Sequence, residues 1–298
     1  MELRELSLPE HPELHEAVHD MLERAHHEDG VEPLSEQYLR GILEASLGHR
    51  HILALEQGQP VGILAMQEQA ELCVHPACRR HGIGSSLLRA GRDAGIKDFW
   101  AHGNLVPAQH LAASEHLDAS RELLVMSVEG EALERAACTS VPDGFRTTNL
   151  EQSELVEPLQ EWLRVNNEAF SWHPEQGGWD MQQLDQARQA QWYRADDVLF
   201  LEKQGALAGF HWVKRHGDLS KGAIGEVYVV GLADAFRGQG LGGPLLNLGL
   251  QRLYEQGARK VILYVEADNK PAVAVYERLG FEVQERHVVY SAERAENF

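Results

Sequence analysis

Cysteine is scarce in this chain: Cys73, Cys78 and Cys138 are the only three in 298 residues. An odd number without metal-ligand spacing implies neither a disulfide framework nor a zinc site. Long apolar runs are missing as well. No stretch approaches the roughly 20 residues that span a bilayer, and Met1-Glu-Leu-Arg-Glu5 is charged where a secretory leader would be apolar. These absences predict a cytoplasmic chain without a membrane partner. Basic side chains are outnumbered, 27 Lys and Arg against 46 Asp and Glu, which leaves a formal net charge of −19. That balance argues against nucleic acid and anionic membrane as partners. Any polyanionic ligand then has to be held by a local positive site. Disorder is excluded too, with 43% hydrophobic and 24% charged residues. The length suffices for two domains, each with its own core.

What the chain does have is one rare pattern twice. Arg79-Arg80-His81-Gly82-Ile83-Gly84 and Arg237-Gly238-Gln239-Gly240-Leu241-Gly242 lie 158 residues apart. Each follows an apolar, β-like run (Glu71 to Val74; Glu226 to Val230), and each opens an amphipathic helix. Strand, Gly-rich turn and helix N-terminus make an anion cradle, because unpaired N–H groups and the helix dipole favour negative charge. Around each copy the pattern runs helix, helix, hairpin, central strand, long helix, strand, helix, strand. The hairpin signals are Gln57-Gly58 and Gln204-Gly205. This order predicts a mixed α/β (α+β) chain of two similar domains, 1–135 and 149–298, joined by a linker at 136–148.

Arg-x-x-Gly-x-Gly between a central strand and a long helix, followed by Asn269-x-x-Ala272-x-x-x-Tyr276-x-x-x-Gly280-Phe281, resembles the acetyl-CoA site of the GNAT superfamily of N-acetyltransferases. The resemblance covers both halves. It implies two tandem GNAT domains, each a mostly antiparallel sheet with one parallel crossover and flanking helices. It also implies acetyl-CoA as co-substrate, with room for two molecules per chain, no metal, and a monomer. A narrower resemblance runs nearly end to end. It rests on Phe99-Trp-Ala-His-Gly103, His173-Pro-Glu-Gln-Gly-Gly-Trp179, Gly209-Phe-His-Trp212 with Lys214, and Gly225-Glu-Val-Tyr-Val229. It points to a tandem branch of that superfamily that acetylates the cysteine amine of a cysteinyl-glucosaminyl-inositol, a small-molecule substrate.

The roles follow from that resemblance. Glu226 is the expected base and Tyr276 the expected acid. Glu36, Glu175, Lys214, Glu226 and Tyr264 are the expected substrate contacts, with the substrate between the domains. Val230, Gly231 and Leu232 are expected to pair with the pantetheine arm like an added strand. Arg237, Gly238, Gln239, Gly240, Leu241, Gly242 and Gly243 form the second-half cradle, joined by Asn269, Lys270, Pro271, Ala272, Val273 and Ala274. In the first half, Leu72, Cys73 and Val74 stand for the strand, and Arg80, His81, Gly82, Ile83, Gly84 and Ser85 for the cradle. The chemistry suits these types. An α-amino group with a pKa of ~7.7–8.0 loses its proton at neutral pH for about 1 kcal/mol, and a phenol can protonate a departing thiolate.

Aligned on their Arg-Gly turns, the halves put Glu68 where Glu226 stands, since each lies 11 residues before its Arg. The counterpart of Tyr276 reads as Ser114, and Pro107-Ala-Gln-His110 replaces the Asn-x-x-Ala motif. The first half is therefore expected to bind acetyl-CoA without turning it over. Two rival functions remain at this point: the same chemistry on another amine (an aminoglycoside, a polyamine, a protein N-terminus), or a non-catalytic acyl-CoA sensor. His11, His15 and His19, at i, i+4 spacing, read as a solvated helix face. Trp172, Trp192 and Trp212 read as core, with Trp179 a candidate wall of the substrate cleft.

Overall fold

The computed structural model describes residues 1–138, 140–172 and 176–292. In chain order the first elements are β1 (Glu2–Leu6), α1 (His15–Asp29), α2 (Glu36–Gly41), β2 (Arg50–Glu56), β3 (Gln59–Met66), β4 (Ala70–Val74), α3 (Ile83–Asp93), β5 (Asp98–Ala101), α4 (Val106–Ser114) and β6 (Asp118–Glu129). Then follow α5 (Gly130–Ala136), β7 (Arg146–Asn149), α6 (Pro158–Ala169), α7 (Met181–Ala187), β8 (Val198–Lys203), β9 (Ala206–Arg215), β10 (Gly225–Leu232), α8 (Gly242–Glu255), β11 (Lys260–Glu266), α9 (Lys270–Arg278) and β12 (Glu282–Ser291).

The chain divides into two compact units, 1–124 with 285–298, and 125–284. The division therefore falls inside β6 and inside β12. The C-terminal strand completes the first unit, where Val288–Ser291 pair with β5. Of the expected linker at 136–148, the first residue closes α5, and the last three lie in β7, which pairs with β8.

Within the first unit, β1, β2, β3 and β4 pair antiparallel in turn and β4 pairs parallel with β5. In the second, β7, β8, β9 and β10 pair antiparallel and β10 pairs parallel with β11. One parallel pair per unit follows from chemistry: a helix-length crossover, α3 or α8, joins the two strands that run the same way. Gln57-Gly58 and Gln204-Gly205 all take positive φ, the type I′ geometry that matches the strand twist.

Both faces of each sheet are covered, so the strands read as near-continuous apolar runs. Alternation sends Leu53 and Leu55 against Val18, Met21 and Leu22 of α1. Ile52 and Ala54 go the other way, into the cluster of Ile83, Leu87 and Leu88 on α3. In the second unit, Phe200, Phe210 and Trp212 meet Trp162 and Val165 of α6, while Leu201 and Ala208 meet Leu245 of α8 and Leu241 just before it. Polar side chains are buried too. His211 is fully buried against α8, with Nδ1 3.1 Å from the Leu245 carbonyl. A Cβ on Gly249 would lie 2.1 Å from its ring, so that helix position must be glycine.

Burial lowers the His211 imidazole to about 4 against the pull of the Leu245 hydrogen bond, and burial followed by the charge of His49 does the same to His51. In the unfolded chain both titrate near ~6.5. Below that pH the unfolded state takes up protons that the native state refuses until about pH 4, so stability is lost as pH falls through this window. The expected outcome is a urea midpoint that is flat above about pH 6.5 and declines steadily toward about pH 4. A midpoint constant across the window contradicts buried neutral imidazoles.

Candidate active site

In the second unit the site grows from a fork in the sheet. The parallel pairing of β10 with β11 covers Gly225–Val227 against Val261–Leu263. Beyond it β10 runs on to Leu232 and β11 to Glu266 with no registered pair among the described residues. The cause is an extra residue. Against β9, Val227 pairs with Val213 and Val229 with Trp212, which leaves Tyr228 as a bulge. A bulge bends its strand and raises the local twist, and here it carries β10 away from β11. Val230, Gly231 and Leu232 lie in the parted stretch, paired only on their β9 side with His211, Phe210 and Gly209. Ala233 N–H donates back to the Ala208 carbonyl at 2.9 Å. Alternation then turns the N–H groups of Val230 and Leu232 toward the open side. Gly231 is glycine for packing, since a Cβ would sit 2.8 Å from Ala169 Cβ.

The cradle follows the fork. Gly238 and Gly240 hold φ near +74° and +75°, which other residues rarely adopt. Gly242 and Gly243 begin α8 with no positive φ, and a Cβ on either would meet no heavy atom of the chain within 4 Å. Neither packing nor backbone geometry asks for glycine there, and the main chain at the helix start is open to close approach. Leu241 precedes the helix without a side-chain cap, and its own side chain is buried. The Arg237 guanidinium bonds Asp234 and the Glu168 carbonyl, and its N–H donates to the Asp234 carbonyl. Arg237 thus fixes the turn, and the groups left to meet an anion are backbone N–H donors at the helix start. Gln239 likewise bonds back, to the Ala235 carbonyl.

Asn269 caps α9, its side-chain oxygen accepting from Ala272 N–H at 3.3 Å, with Pro271 in the first turn. Lys270, Val273 and Ala274 lie in the same opening turns. The Asn-x-x-Ala motif therefore sets the helix that presents Tyr276. That phenol is half-buried, its ring centroid 5.8 Å from Phe281, and burial raises its pKa above the usual 10. It stays protonated at neutral pH.

Glu226 is buried, 5% exposed, and lies opposite Lys214 on β9. Its Oε2 is 2.6 Å from His216 Nε2, a partner that sequence reasoning missed because it sits in the β9–β10 connection. The Lys214 ammonium lies 5.1 Å from the Trp192 ring centroid and 5.8 Å from that of Tyr228, a desolvating aromatic seat. Tyr264, two residues past Ile262, the β11 partner of Glu226, shares its face and is exposed. The fold thus brings Lys214, Glu226 and Tyr264 to one face of one unit. Glu175 lies outside the described residues. Glu36 is the first residue of α2 in the first unit. Among the tryptophans, Trp212 is core and Trp192 and Trp179 pack half-buried against it, but Trp172 is 62% exposed, not core.

The first unit repeats the frame with different contents. Its parallel pair covers only Ala70 and Glu71, opposite Phe99 and Trp100. Leu72, Cys73 and Val74 follow, and burial pushes the Cys73 thiol up to about 12. Arg79 forks onto Asp29 at 2.7 and 2.6 Å, the same turn-fixing role as Arg237. Arg80 and Gly82 have positive φ, while a Cβ on Gly84 would press on Leu111 at 3.2 Å. His81 lies in the same turn, and Ile83 and Ser85 open α3 beyond it. A cavity of about 640 Å³ lies here, lined by Val74, Gly82, Ser85, Leu111 and His102 among others.

Two alignments made from the sequence are corrected. The residue matching Glu226 is Glu71, the second of β4 as Glu226 is the second of β10; Glu68 is exposed in the turn before. Counting back from the Arg failed because β10 has eight residues and β4 five. Glu71 is spent on structure: it accepts Ser35 N–H at 2.7 Å and Ser35 Oγ–H at 2.8 Å, and His102 Nε2 lies 3.1 Å away. The residue matching Tyr276 is Ala112, not Ser114. Leu117 N–H donates to the Ala112 carbonyl as Phe281 N–H does to that of Tyr276, and Ser114 bonds Leu111. No proton donor stands at that position in the first unit.

Comparison with known proteins agrees with this frame. The profile of the "Acetyltransferase (GNAT) family" matches residues 159–281, and that of the "Acetyltransferase (GNAT) domain" matches 48–116. Mycothiol acetyltransferase of Corynebacterium efficiens is 52% identical over 283 residues, 94% of this chain and 93% of that protein. Its namesake in Corynebacterium diphtheriae is 49% identical over 284 residues, 93% and 94%. Among solved structures, a GCN5-related N-acetyltransferase from Sphaerobacter thermophilus superposes with a TM-score of 0.72 at 18% identity, over 97% of this chain and 94% of that one. A tandem GNAT protein from the clavulanic acid biosynthesis pathway reaches 0.67 at 21% identity, over all of both chains. These two show the fold.

Because the Cβ at position 243 has no neighbour in the chain, Gly243→Val should leave the melting temperature unchanged. It should weaken acetyl-CoA binding by about tenfold or more, by blocking approach to the helix start. Calorimetric titration checks this; unaltered affinity would remove the cradle from the binding site.

Proposed function

The chain belongs to the mycothiol acetyltransferases, a tandem family of GNAT N-acetyltransferases, and from that premise we propose how it acts. The enzyme is an acyltransferase that acetylates the cysteine amine of desacetylmycothiol, the cysteinyl-glucosaminyl-inositol, in mycothiol biosynthesis. We infer that the second unit does the chemistry. The observation that carries this is the contrast at two matched positions. A buried carboxylate at the fork bonds one imidazole in the second unit and is consumed by Ser35 and His102 in the first. A half-buried phenol in the second unit corresponds to an alanine in the first.

Gly242 and Gly243 suit a cofactor at the helix start, since their missing Cβ atoms leave the main chain approachable. Acetyl-CoA supplies the activated acyl group as a thioester. The residues that would hold it are the open-side N–H groups of Val230 and Leu232 and the helix start after Gly240. Glu226 takes the proton of the substrate ammonium and relays it to solvent; the net cost of a free α-amine at neutral pH is only about 1 kcal/mol. Tyr276 gives its proton to the departing sulfur. Since burial holds the phenol above 10 and a free thiol titrates near ~8.5, that transfer is uphill by about 2 kcal/mol or more. Its donation must therefore be concerted with bond breaking. Lys214 and Tyr264, on the face of Glu226, offer a donor and a hydroxyl to a polyol, and Glu175 and Glu36 are assigned to the same substrate by family resemblance alone.

Glu226→Gln and Tyr276→Phe should each lower turnover by ~10²–10⁴-fold, the usual scale for a positioned acid or base. The assay is mass spectrometry of the product from cysteinyl-glucosaminyl-inositol, glucosaminyl-inositol, a polyamine and a peptide. An N-acetylated product from another amine alone would overturn the substrate and keep the mechanism. For the first unit we propose binding without turnover, so two molecules of acetyl-CoA per chain. Calorimetry should count two sites, and one after Gly82→Val; a single site in the native enzyme defeats this reading.

A further inference from the structure

The buried carboxylate of Glu226 has one polar side-chain partner among the described residues. His216, the first residue after β9, brings Nε2 to 2.6 Å from Oε2. Its backbone N–H donates to the Ile224 carbonyl at 2.9 Å, which folds the β9–β10 connection back and sets the ring beside the start of β10. The imidazole is about one third exposed and the carboxylate almost closed off, at 35% and 7% of their side-chain surfaces. The other charges nearby are engaged elsewhere. Lys214, opposite Glu226, keeps its ammonium over Trp192 and Tyr228. Arg215 is bonded to Asp197 on a neighbouring turn. Asp218 accepts from Ser220 and pairs with Lys221. On β11 the pairing partner is the apolar Ile262, with Tyr264 beyond it.

A carboxylate taken out of water is pushed toward its neutral acid, and a neutral acid cannot accept the amine proton. A hydrogen bond donated to the charged form opposes that push. It also fixes the rotamer, so that one oxygen is committed and the other is aimed. We propose that His216 is a positioning residue for the acetyl transfer: its Nε2–H donates to Glu226 Oε2, keeps the carboxylate ionised in its buried place, and leaves Oε1 to take the proton from the substrate amine. The inference rests on the reading of Glu226 as the base, and among the described residues no other side chain bonds that carboxylate.

The test compares wild type, His216→Phe, His216→Gln and Glu226→Gln by kcat across about pH 5 to about 9, with the product followed by mass spectrometry. Phe removes the donor and Gln keeps one. Losing the bond removes the donor that favours the charged carboxylate, and the acidic limb of the kcat profile is expected to move up. His216→Phe is expected to shift that limb by about one pH unit and to lower kcat at neutral pH by about tenfold, with KM for acetyl-CoA and the melting temperature unchanged. His216→Gln should recover most of both. A purely structural histidine would move the melting temperature and leave the limb where it is. Nitrogen-15 NMR of wild type should show His216 carrying its proton on Nε2, with the signal displaced in Glu226→Gln. If His216→Phe folds and keeps the wild-type limb and kcat while Glu226→Gln collapses, the inference fails and the base assignment stands. If Glu226→Gln itself turns over normally, the base assignment fails and takes the inference with it. An Nδ1-protonated His216 in the resting enzyme also overturns it.

Discussion

A single extra residue governs the second unit. Tyr228 has no partner on β9, and the bulge it makes ends the ladder between β10 and β11 after Val227. Had the two strands stayed paired, the N–H groups of Val230 and Leu232 would be consumed within the sheet. The fork leaves them unpaired on one side while β9 still anchors the strand on the other. It also brings an aromatic ring to the edge of the site, where Tyr228 and Trp192 seat the ammonium of Lys214. Strand geometry, ligand edge and substrate face thus share one local cause. The rest of the unit, α6 and α7 on one face and α8 on the other, holds this irregular strand in place.

The two units show how differently one frame can be filled. Both have the parallel pair, the Gly-rich turn, the Arg that fixes it and the carboxylate at the second position of the central strand. In the first unit Ser35, at the start of α2, donates twice to Glu71, which turns a potential base into a clasp between helix and sheet. At 2% exposure such a carboxylate needs hydrogen-bond partners, and these donors with His102 beside it supply them. The same burial in the second unit is met by one imidazole, on one oxygen.

Much of this was legible in the chain. The Gln-Gly turns announced both hairpins because two successive left-handed residues are what a tight hairpin needs. The Arg-x-x-Gly-x-Gly turns announced the cradles because positive φ at Gly238, Gly240 and Gly82 leaves little choice of residue. What misled was arithmetic along the chain. A strand of eight residues and one of five cannot be aligned by counting from a turn, so Glu68 stood in for Glu71, and a helix-end offset put Ser114 in the place of Ala112. His216 was invisible for a different reason. A histidine in a loop carries no periodic signal, and only folding brings it to Glu226. Strand β12 was read correctly as a strand, but no local pattern says that its last residues pair with β5.

The electrostatics of the cradles answer the problem set by a net charge of −19. The obvious solution is a free guanidinium aimed at the ligand, and neither unit uses its first Arg that way. Arg79 is forked onto Asp29, and Arg237 is held by Asp234 and the Glu168 carbonyl. Each pair is locally near neutral, so it adds little attraction at a distance, where salt would screen it anyway. Its value is mechanical: it stiffens the turn, so that the N–H groups at the helix start keep their direction. Donors of this kind act at contact range and need no partner charge when no ligand is there. A chain that must release a spent polyanion after every turnover gains from such a site, because the attraction is strong only where the fit is close.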